Sequence, residues 1–164
     1  MKPNVLVTAV LAAGLAVAGA PALAQQLSVE SARAVVQPLY DALNAAPGRD
    51  AAALVLGATS ADWVSCGGND ACRPREQVAV AIAGFGKAIP DLKWEIKELL
   101  VSGDRVVVRG EATGPPAGAF MGVPHGGRKF TIMSIDVHTI ANGKIARTYH
   151  IEDWMGAARQ LSAK

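Results

Sequence analysis

The sequence predicts an α+β fold, in which a strongly bent antiparallel sheet packs on helices from the N-terminal part of the chain. Apolar residues recur at helical spacing in the first half of the chain, whereas alternating, strand-like segments dominate the second half. We find no internal repeat and no change of composition regime after the first two dozen residues. Residues 25–164 are therefore predicted to form a single domain.

Three helices are predicted in the first half of the chain. Apolar side chains recur at helical spacing over 29–43, with Ser28 placed to cap the start and Pro47-Gly48 placed to end the helix. A short second helix is predicted over 50–56. A third is predicted to begin at Pro74 and to run through Phe85, because proline is favoured in a first helical turn.

The predicted strands follow a regular order. A short strand is expected over 61–65, and two long strands are expected over 93–101 and 105–113, joined by a turn at 102–104. These long strands are the start of the antiparallel meander.

The chain begins with the pattern of a secretory signal. Lys2 precedes an apolar run over 5–20, and small residues follow as far as Ala24, where cleavage is expected. The alternative is an uncleaved membrane anchor, but glycines and a proline interrupt the run. Residues 1–24 are therefore predicted to be a signal peptide, and the mature protein is predicted to be periplasmic or secreted, with no membrane segment.

The charge balance argues against nucleic-acid binding. The chain has 16 basic and 14 acidic side chains, so loss of Lys2 with the leader leaves 15 against 14, a formal charge of +1. Two short basic pairs, Arg73 with Arg75 and Arg128 with Lys129, do not form the basic stripe that phosphate binding requires. We therefore expect no nucleic-acid partner.

Two cysteines flank a segment that favours a tight reversal. Cys66 and Cys72 enclose two glycines and an asparagine, and in an exported protein this spacing indicates a disulfide. A metal site would require further histidine or cysteine ligands close by, and this segment has none. A disulfide and no metal are therefore predicted.

The segment over 114–128 is predicted to be a long loop, because glycine and proline are too frequent for regular structure. Its two neighbouring apolar residues, Phe120 and Met121, are expected to fold over the mouth of a cavity. An alternative, equally open, is that they tuck against the edge of the sheet. The loop leads into a strand and is therefore not a phosphate-binding loop, which needs a helix start.

Asn142-Gly143 is a strong signal for a two-residue hairpin turn, and it places Ala141 opposite Lys144. Extending this ladder without interruption predicts which side chains share a face. One face is predicted to contain Ile132, Ser134, Asp136, His138, Arg147, Tyr149, Ile151 and Asp153. The other is predicted to contain Met133, Ile135, Val137, Thr139, Ala146, Thr148, His150 and Glu152.

Amphipathicity alone favours burial of the Met133, Ile135 and Val137 face, which would leave Asp136, His138 and Asp153 in water. The opposite arrangement requires the apolar face to be covered by a second copy of the chain, because a contiguous exposed apolar patch is unusual for a soluble monomer.

Four segments of the chain carry a family resemblance: the loop residues 120–130, the Asn142-Gly143 turn, Tyr149–Asp153 and the upstream Pro90-Asp91-Leu92. Together they resemble the SnoaL-like polyketide cyclase (ester cyclase) family. The resemblance implies the cone-shaped fold of nuclear transport factor 2. It also implies that Asp153 lies inside the cone as a general acid/base, without metal or bound cofactor. Because the resemblance places Asp153 inside, we favour the arrangement in which a second copy covers the apolar face, and we predict a homodimer through the outer face of the sheet.

The resemblance and the predicted face together define a candidate site for a small apolar or carbonyl-containing molecule. We assign acid/base chemistry to Asp153 and proton relay to His138. Tyr149 and Asp136 are expected to donate hydrogen bonds to the enolate oxygen that develops on the substrate. Arg147 is expected to neutralise a substrate carboxylate. The remaining wall of the pocket is assigned to Ile132, Ser134, Ile151, Phe120, Met121 and Trp63. The simpler alternatives are that Tyr149 is a core aromatic and that Arg147 pairs with Asp136 at the rim.

The chain also departs from the family pattern. Tyr149 stands where the family usually has tryptophan, His125-Gly126 replaces proline and threonine, and Ser162 stands where glycine is common. Export is a further departure, since polyketide cyclases act in the cytoplasm. Two hypotheses follow: an exported acid/base enzyme of cyclase, isomerase or hydrolase type acting on a small carbonyl compound, and a non-catalytic dimeric protein that binds an apolar small molecule.

Overall fold

The computed structural model describes residues 27–44, 49–124 and 126–163. The predicted signal peptide, the helix stop at Pro47-Gly48 and His125 lie outside these ranges. The helices are α1 (Val29–Leu43), α2 (Ala51–Ala58), α3 (Arg75–Ala88) and α4 (Trp154–Ser162). The strands are β1 (Thr59–Cys66), β2 (Cys72–Pro74), β3 (Lys93–Ser102), β4 (Arg105–Gly114), β5 (Phe130–Ala141) and β6 (Lys144–Glu152). The predicted α+β class is confirmed.

All the strands in the described ranges belong to one curved sheet, in the order β2-β1-β6-β5-β4-β3. Neighbouring strands are antiparallel except β1 and β6, which pair in parallel. The parallel pair arises because β1 comes from the helical half of the chain and adds to the free edge of the C-terminal hairpin. It brings residues from both halves of the sequence onto one inner face.

Local capping fixes the ends of the helices. Ser28 accepts a hydrogen bond from the Ser31 backbone N–H at 3.0 Å at the start of α1, as the sequence predicted. Asp50 caps α2 in the same way through the Ala53 N–H at 2.9 Å. The predictions did not include strand β2 or helix α4, and both affect the site.

The core lies between the inner face of the sheet and helices α1 to α3. Alternate residues of β4 are fully buried, among them Val106 and Val108, and Val36 of α1 packs into the same cluster. Gly110 occupies one of these buried positions without a side chain for a steric reason, since a Cβ there would lie 2.4 Å from Ser134 Oγ. The missing side chain leaves room for Trp94, whose Nε1 donates to Ser134 Oγ at 3.2 Å.

The β5–β6 hairpin turns where the sequence predicts, but its ladder is interrupted. Asn142 and Gly143 have the expected positive φ angles of 51° and 69°, and Ala141 pairs with Lys144. The register then shifts, so that Ile140 pairs with Ile145 whereas Thr139 pairs with Arg147. Ala146 is therefore the extra residue of a β-bulge, and every later side chain of β6 changes face.

The bulge corrects half of the predicted face. On β5, Ser134, Asp136 and His138 are buried on the inner face. On β6 the uninterrupted ladder was wrong. The inner side chains are Thr148, His150 and Glu152, and the outer ones are Arg147, Tyr149 and Ile151.

The predicted disulfide is confirmed, with Cys66 and Cys72 joined at an S–S distance of 2.04 Å. The two cysteines are register partners of β1 and β2, so the bond closes a short strand pair at the edge of the sheet. Within the described ranges, no helix has the length and apolar character needed to cross a membrane.

The long loop does not cover a cavity with both apolar residues. Phe120 packs on Phe130 and Trp154, with ring centroids 5.9 and 5.7 Å apart, whereas Met121 is exposed. Neither predicted arrangement therefore holds for both residues: Phe120 packs against the core, and more than half of Met121 stays exposed to solvent.

Candidate functional site

A cavity of about 140 Å³ lies between the inner face of the sheet and helices α1 and α3. Its apolar wall includes the three tryptophans Trp63, Trp94 and Trp154, and its polar side is formed by strands β1, β2, β5 and β6. The polar and charged lining residues are Ser65, Arg73, Asp136, Thr148, His150 and Glu152. An aromatic chamber with a few convergent polar groups is the usual form of a small-molecule site.

His150 and Glu152 form an ion pair on the cavity wall. His150 Nδ1 lies 2.7 Å from Glu152 Oε1, and Trp154 Nε1 donates to the other carboxylate oxygen at 3.2 Å. The hydrogen bond to Glu152 raises the pKa of His150 against the opposing effect of its partial burial. Glu152 therefore stabilises the protonated form of an imidazole on the cavity wall.

Asp136 lies directly opposite His150 in the β5–β6 ladder and is only 8% exposed. Burial raises the pKa of its carboxyl to about 7, against the lowering effect of a hydrogen bond from Tyr40, while the Glu152 charge raises it further. The Tyr40 hydroxyl donates to Asp136 Oδ2 at 3.0 Å. A carboxyl with this pKa is suited both to accept and to return a proton near neutral pH.

A chain of buried hydrogen bonds lies behind Asp136. The Tyr40 oxygen also lies 3.0 Å from His138 Nε2, and His138 Nδ1 lies 2.9 Å from Thr148 Oγ1. Trp63 Nε1 donates to the same threonine oxygen at 3.0 Å. His138 and Tyr40 are buried and do not line the cavity, so they position Asp136 and have no direct access to a ligand.

When Asp136 is ionised, counting the available protons fixes the donor and the acceptor of every hydrogen bond in this network. Tyr40 has a single hydroxyl proton and donates it to Asp136, so His138 must donate its Nε2–H to the Tyr40 oxygen. The bare Nδ1 then accepts from the hydroxyl of Thr148. The threonine oxygen in turn accepts from Trp63, which has only a donor to offer. Every proton is used, and His138 is the neutral Nε2–H tautomer.

Burial supports this neutral form, because it lowers the pKa of His138 to about 3, with a smaller contribution in the same direction from the charge of His150. Burial and the negative charge of Asp136 likewise raise the pKa of Tyr40 far above its usual value, so its hydroxyl stays protonated. The chain therefore acts as a neutral support for one titrating carboxyl.

Asp153 does not lie in the cavity, and its predicted placement is wrong. It is the N-cap of α4: its Oδ1 accepts from the Gly156 N–H at 2.7 Å, and its Oδ2 lies 3.7 Å from Arg159 Nη2. Its side chain is 52% exposed. Gly156 allows the close approach of this cap, because a Cβ there would lie 2.0 Å from Asp153 Oδ2.

The bulge at Ala146 removes three more predicted residues from the site. Tyr149 lies on the outer face with the Arg147 guanidinium 5.8 Å from its ring centroid, and Ile151 is exposed on the same face. None of the three lines the cavity. Phe120 and Met121 are absent from its lining as well, although Phe120 supports Trp154.

The remaining predicted residues lie on the inner side. Asp136 and Trp63 line the cavity, whereas Ser134 and Ile132 are buried beside it. The prediction missed the site residues Tyr40, Thr148, His150 and Glu152. One signal was present in the sequence: an uninterrupted ladder would bury the Arg147 guanidinium beside His138, which is costly without a partner, and a bulge avoids that cost.

In the part of the chain that the structure describes, no three histidine, cysteine, aspartate or glutamate side chains are arranged to hold a metal ion. The polar side of the cavity instead places the Asp136 carboxyl, whose pKa is raised to about 7, opposite the His150 imidazole, which contacts Glu152. This arrangement is suited to proton transfer between a bound molecule and the protein.

The chain belongs to the SnoaL-like polyketide cyclase family, whose model matches residues 49–161. No curated protein sequence matches it closely enough to add a specific activity. Solved structures with similar folds include three that are each under 25% identical, so these three likenesses concern the fold.

Three of these structures come from different bacteria. TsrD from Streptomyces laurentii is 24% identical over 85% of this chain and 100% of its own, with a TM-score of 0.71. Wild-type IdmH from Streptomyces antibioticus is 24% identical over 79% and 97%, with a TM-score of 0.67. A SnoaL-like polyketide cyclase from Agrobacterium tumefaciens is 20% identical over 77% and 94%, with a TM-score of 0.63.

The opposite pKa shifts of Asp136 and His138 give a testable pH dependence of stability. The pKa of Asp136 rises from 3.8 to about 7 on folding, so its contribution to stability is lost as pH rises through that window. The pKa of His138 falls from 6.5 to about 3, so its contribution is lost as pH falls through that window. The two effects oppose each other between pH 4 and 6.5.

In a variant that lacks one of the two groups, we expect the pH dependence of stability to show the contribution of the remaining group. Asp136→Asn should lose stability as pH falls from 6.5, and His138→Gln should lose stability as pH rises from 4 to 7. Each change should be at least about 1.4 kcal/mol, the equivalent of one pKa unit. Urea unfolding from pH 4 to 8 measures both, and parallel pH profiles for wild type and the two variants would contradict the assigned shifts.

Proposed function

We propose that this chain is a cofactor-free acid/base enzyme that moves a proton at the carbon next to a carbonyl group of a small molecule. The observation that supports this most is the pairing of Asp136, with its pKa of about 7, opposite the ion-paired His150 on the cavity wall. Directly opposed side chains in a sheet have Cβ atoms about 5 Å apart, which leaves a bound carbonyl within reach of both.

The two groups have complementary roles in this proposal. The Asp136 carboxylate accepts the α-proton, while the His150 imidazolium donates a proton to the carbonyl oxygen, so that a neutral enol forms and charge does not accumulate. Return of the protons to other positions gives isomerisation. Attack of the enol carbon on a second carbonyl of the same molecule gives ring closure, as the family description of polyketide cyclases suggests.

The protein environment favours these steps in two ways. Tyr40 and Ser134 both hydrogen-bond to the Asp136 carboxyl, which fixes its orientation on the cavity wall. A molecule that fills the space between the tryptophans displaces water, which strengthens the electrostatic interactions between the two groups and that molecule.

The alternative function is binding of an apolar small molecule without turnover, supported by the three tryptophan rings that line the cavity. In that case Asp136 and His150 only satisfy polar atoms of the ligand. Turnover separates the two functions.

We expect Asp136→Asn to abolish exchange of α-protons in small ketones dissolved in D₂O, measured by proton NMR. The expected loss is at least about 100-fold, because positioned acid/base groups contribute about 10² to 10⁴ in rate. Ligand affinity should stay within about one order of magnitude, because the amide keeps the shape and its oxygen still accepts from Tyr40.

The matched control is Asp62→Asn, which changes an exposed aspartate on β1 of the same sheet. It should exchange ketone protons at the wild-type rate. Wild-type exchange in the Asp136 variant would contradict the proposed role of that carboxyl.

We also propose that the protein is a homodimer through the outer face of the sheet. Met133 and Ile151 are 54% and 68% exposed on this face, and Ile135 lies between them as the register partner of Ile151. Thr148 and His150 were predicted on this face but face inward, and the bulge places Tyr149 and Ile151 there instead. The apolar patch is therefore larger than the sequence indicated.

Ile151→Lys should convert the dimer to a monomer in light scattering, because it places a charge in the centre of the apolar contact. The control is Val80→Lys on α3, where the side chain is 72% exposed and distant from this face. The control should remain dimeric. A wild-type protein that is monomeric at high concentration would rule out the proposed interface.

We propose that the protein acts after export, with the leader removed. The Cys66–Cys72 disulfide supports this, since such bonds persist mainly in oxidising compartments. The protein recovered from a periplasmic extract should have the intact mass of a chain that begins at Gln25 with its two thiols joined. Recovery of the full-length chain from the membrane fraction would argue for the anchor instead.

A further inference from the structure

Strand β2 places one arginine at the mouth of the cavity. Arg73 is the register partner of Ser65 on β1, and both side chains line the cavity. Arg73 is exposed, so its guanidinium lies where the cavity meets solvent. It is close enough to the cavity groups for its charge to oppose protonation of His150.

This guanidinium has no partner of its own. Among the arginines in the described ranges, only Arg33 and Arg73 lack a hydrogen-bond acceptor or a carboxylate partner in the structure. The others contact carboxylates, backbone carbonyls or other acceptors, and they are Arg49, Arg75, Arg105, Arg109, Arg128, Arg147 and Arg159. Arg33 lies on α1 and does not line the cavity, so Arg73 is the unpaired arginine of the site.

The backbone on both sides of Arg73 is held in place. Cys72, the preceding residue, is bonded to Cys66, and Pro74, the following residue, pairs with Val64 in the β1–β2 ladder. Arg75 then anchors the start of α3 through hydrogen bonds to Thr59 Oγ1 and to the Leu56 carbonyl. The disulfide hairpin therefore presents Arg73 from a fixed position.

We propose that Arg73 binds a carboxylate group of the substrate, so that the substrate is a small apolar acid whose anionic end stays at the cavity mouth. This inference rests on the proposed function, because it specifies the chemical class of the substrate of that enzyme. The fork of N–H donors on a guanidinium matches the two oxygens of a carboxylate, and such charge-assisted pairs are among the stronger hydrogen bonds in proteins.

The charges of the cavity agree with an anionic ligand. His150 and Glu152 neutralise each other, which leaves Arg73 as the uncompensated charge whenever Asp136 is protonated. An apolar body fits between the tryptophans while the acid group remains near solvent, which avoids the cost of burying the whole anion.

The sheet geometry also positions the ligand. Arg73, Ser65 and Thr148 form one inward row across the strands, and His150 lies two residues further along β6. Two residues along a strand span about 7 Å, so a carboxylate on Arg73 leaves room for a short linker before the carbonyl meets Asp136 and His150. The anchor thereby determines which carbon of the substrate faces the base.

The test uses two probes of nearly equal shape, phenylacetate and phenylacetamide, titrated at pH 6, where Asp136 is mostly protonated, with tryptophan fluorescence and calorimetry as readouts. The wild-type protein should bind phenylacetate at least about tenfold more tightly than the amide. Arg73→Gln should remove this preference while leaving the affinity for phenylacetamide unchanged. Arg73→Lys should retain part of it, since a point charge replaces the fork.

Two further variants complete the test. Arg33→Gln, which removes the other unpaired arginine, should keep the full preference. Asp136→Asn should also keep it, because binding of the anion does not require proton transfer, so the anion site and the proposed chemistry can fail separately. Equal affinities of the two probes for wild type, absence of phenylacetate binding, or an unchanged preference in Arg73→Gln would overturn the proposal.

Discussion

One extra residue in β6 determines the composition of the site. Because side chains alternate strictly along a strand, the bulge at Ala146 exchanges the two faces of everything that follows it. The exchange directs the Arg147 guanidinium to the outer face and brings the ion pair of His150 with Glu152 onto the inner one. A bulge next to a functional site is a common way to aim side chains without rebuilding the sheet.

The polar inner face depends in turn on a helix residue that completes its hydrogen bonds. Tyr40 of α1 contacts both Asp136 and His138, so the one hydroxyl joins the titrating carboxyl to the neutral imidazole behind it. Buried polar networks stabilise a unique arrangement only when every member has a partner. In the described ranges no buried side-chain nitrogen or oxygen lacks one. The pKa of Asp136 is therefore raised although the buried polar groups around it all have hydrogen-bond partners.

Local signals in the sequence were sufficient for much of the fold and for part of the site. The bounds of α1, the Asn142-Gly143 turn and the disulfide follow from capping, turn chemistry and cysteine spacing, which act over a few residues. Asp136 and His138 were correctly placed on one face because β5 alternates regularly, although that face was chosen for Asp153, which lies elsewhere. A cap of the same kind was overlooked at Asp153, where the helix-forming residues after it identify an N-cap.

The remaining site residues depend on contacts between distant segments. Tyr40 is 96 residues from Asp136 in the chain, and nothing near it in the sequence indicates their hydrogen bond. The parallel pairing that brings Trp63 to Thr148 has the same character, as these residues are 85 apart. The faces of β6 could be deduced only by weighing the cost of a buried Arg147, which is an argument about the whole sheet.

The central claim is that the Asp136 carboxyl on the cavity wall titrates near neutral pH. The most direct measurement is a carbon-13 NMR titration of the aspartate side-chain carboxyls, with the Asp136 signal assigned from its absence in the Asn variant. The expected result is a midpoint of about 7 for Asp136. A midpoint near 4, the ordinary value for an aspartate in water, would contradict the account.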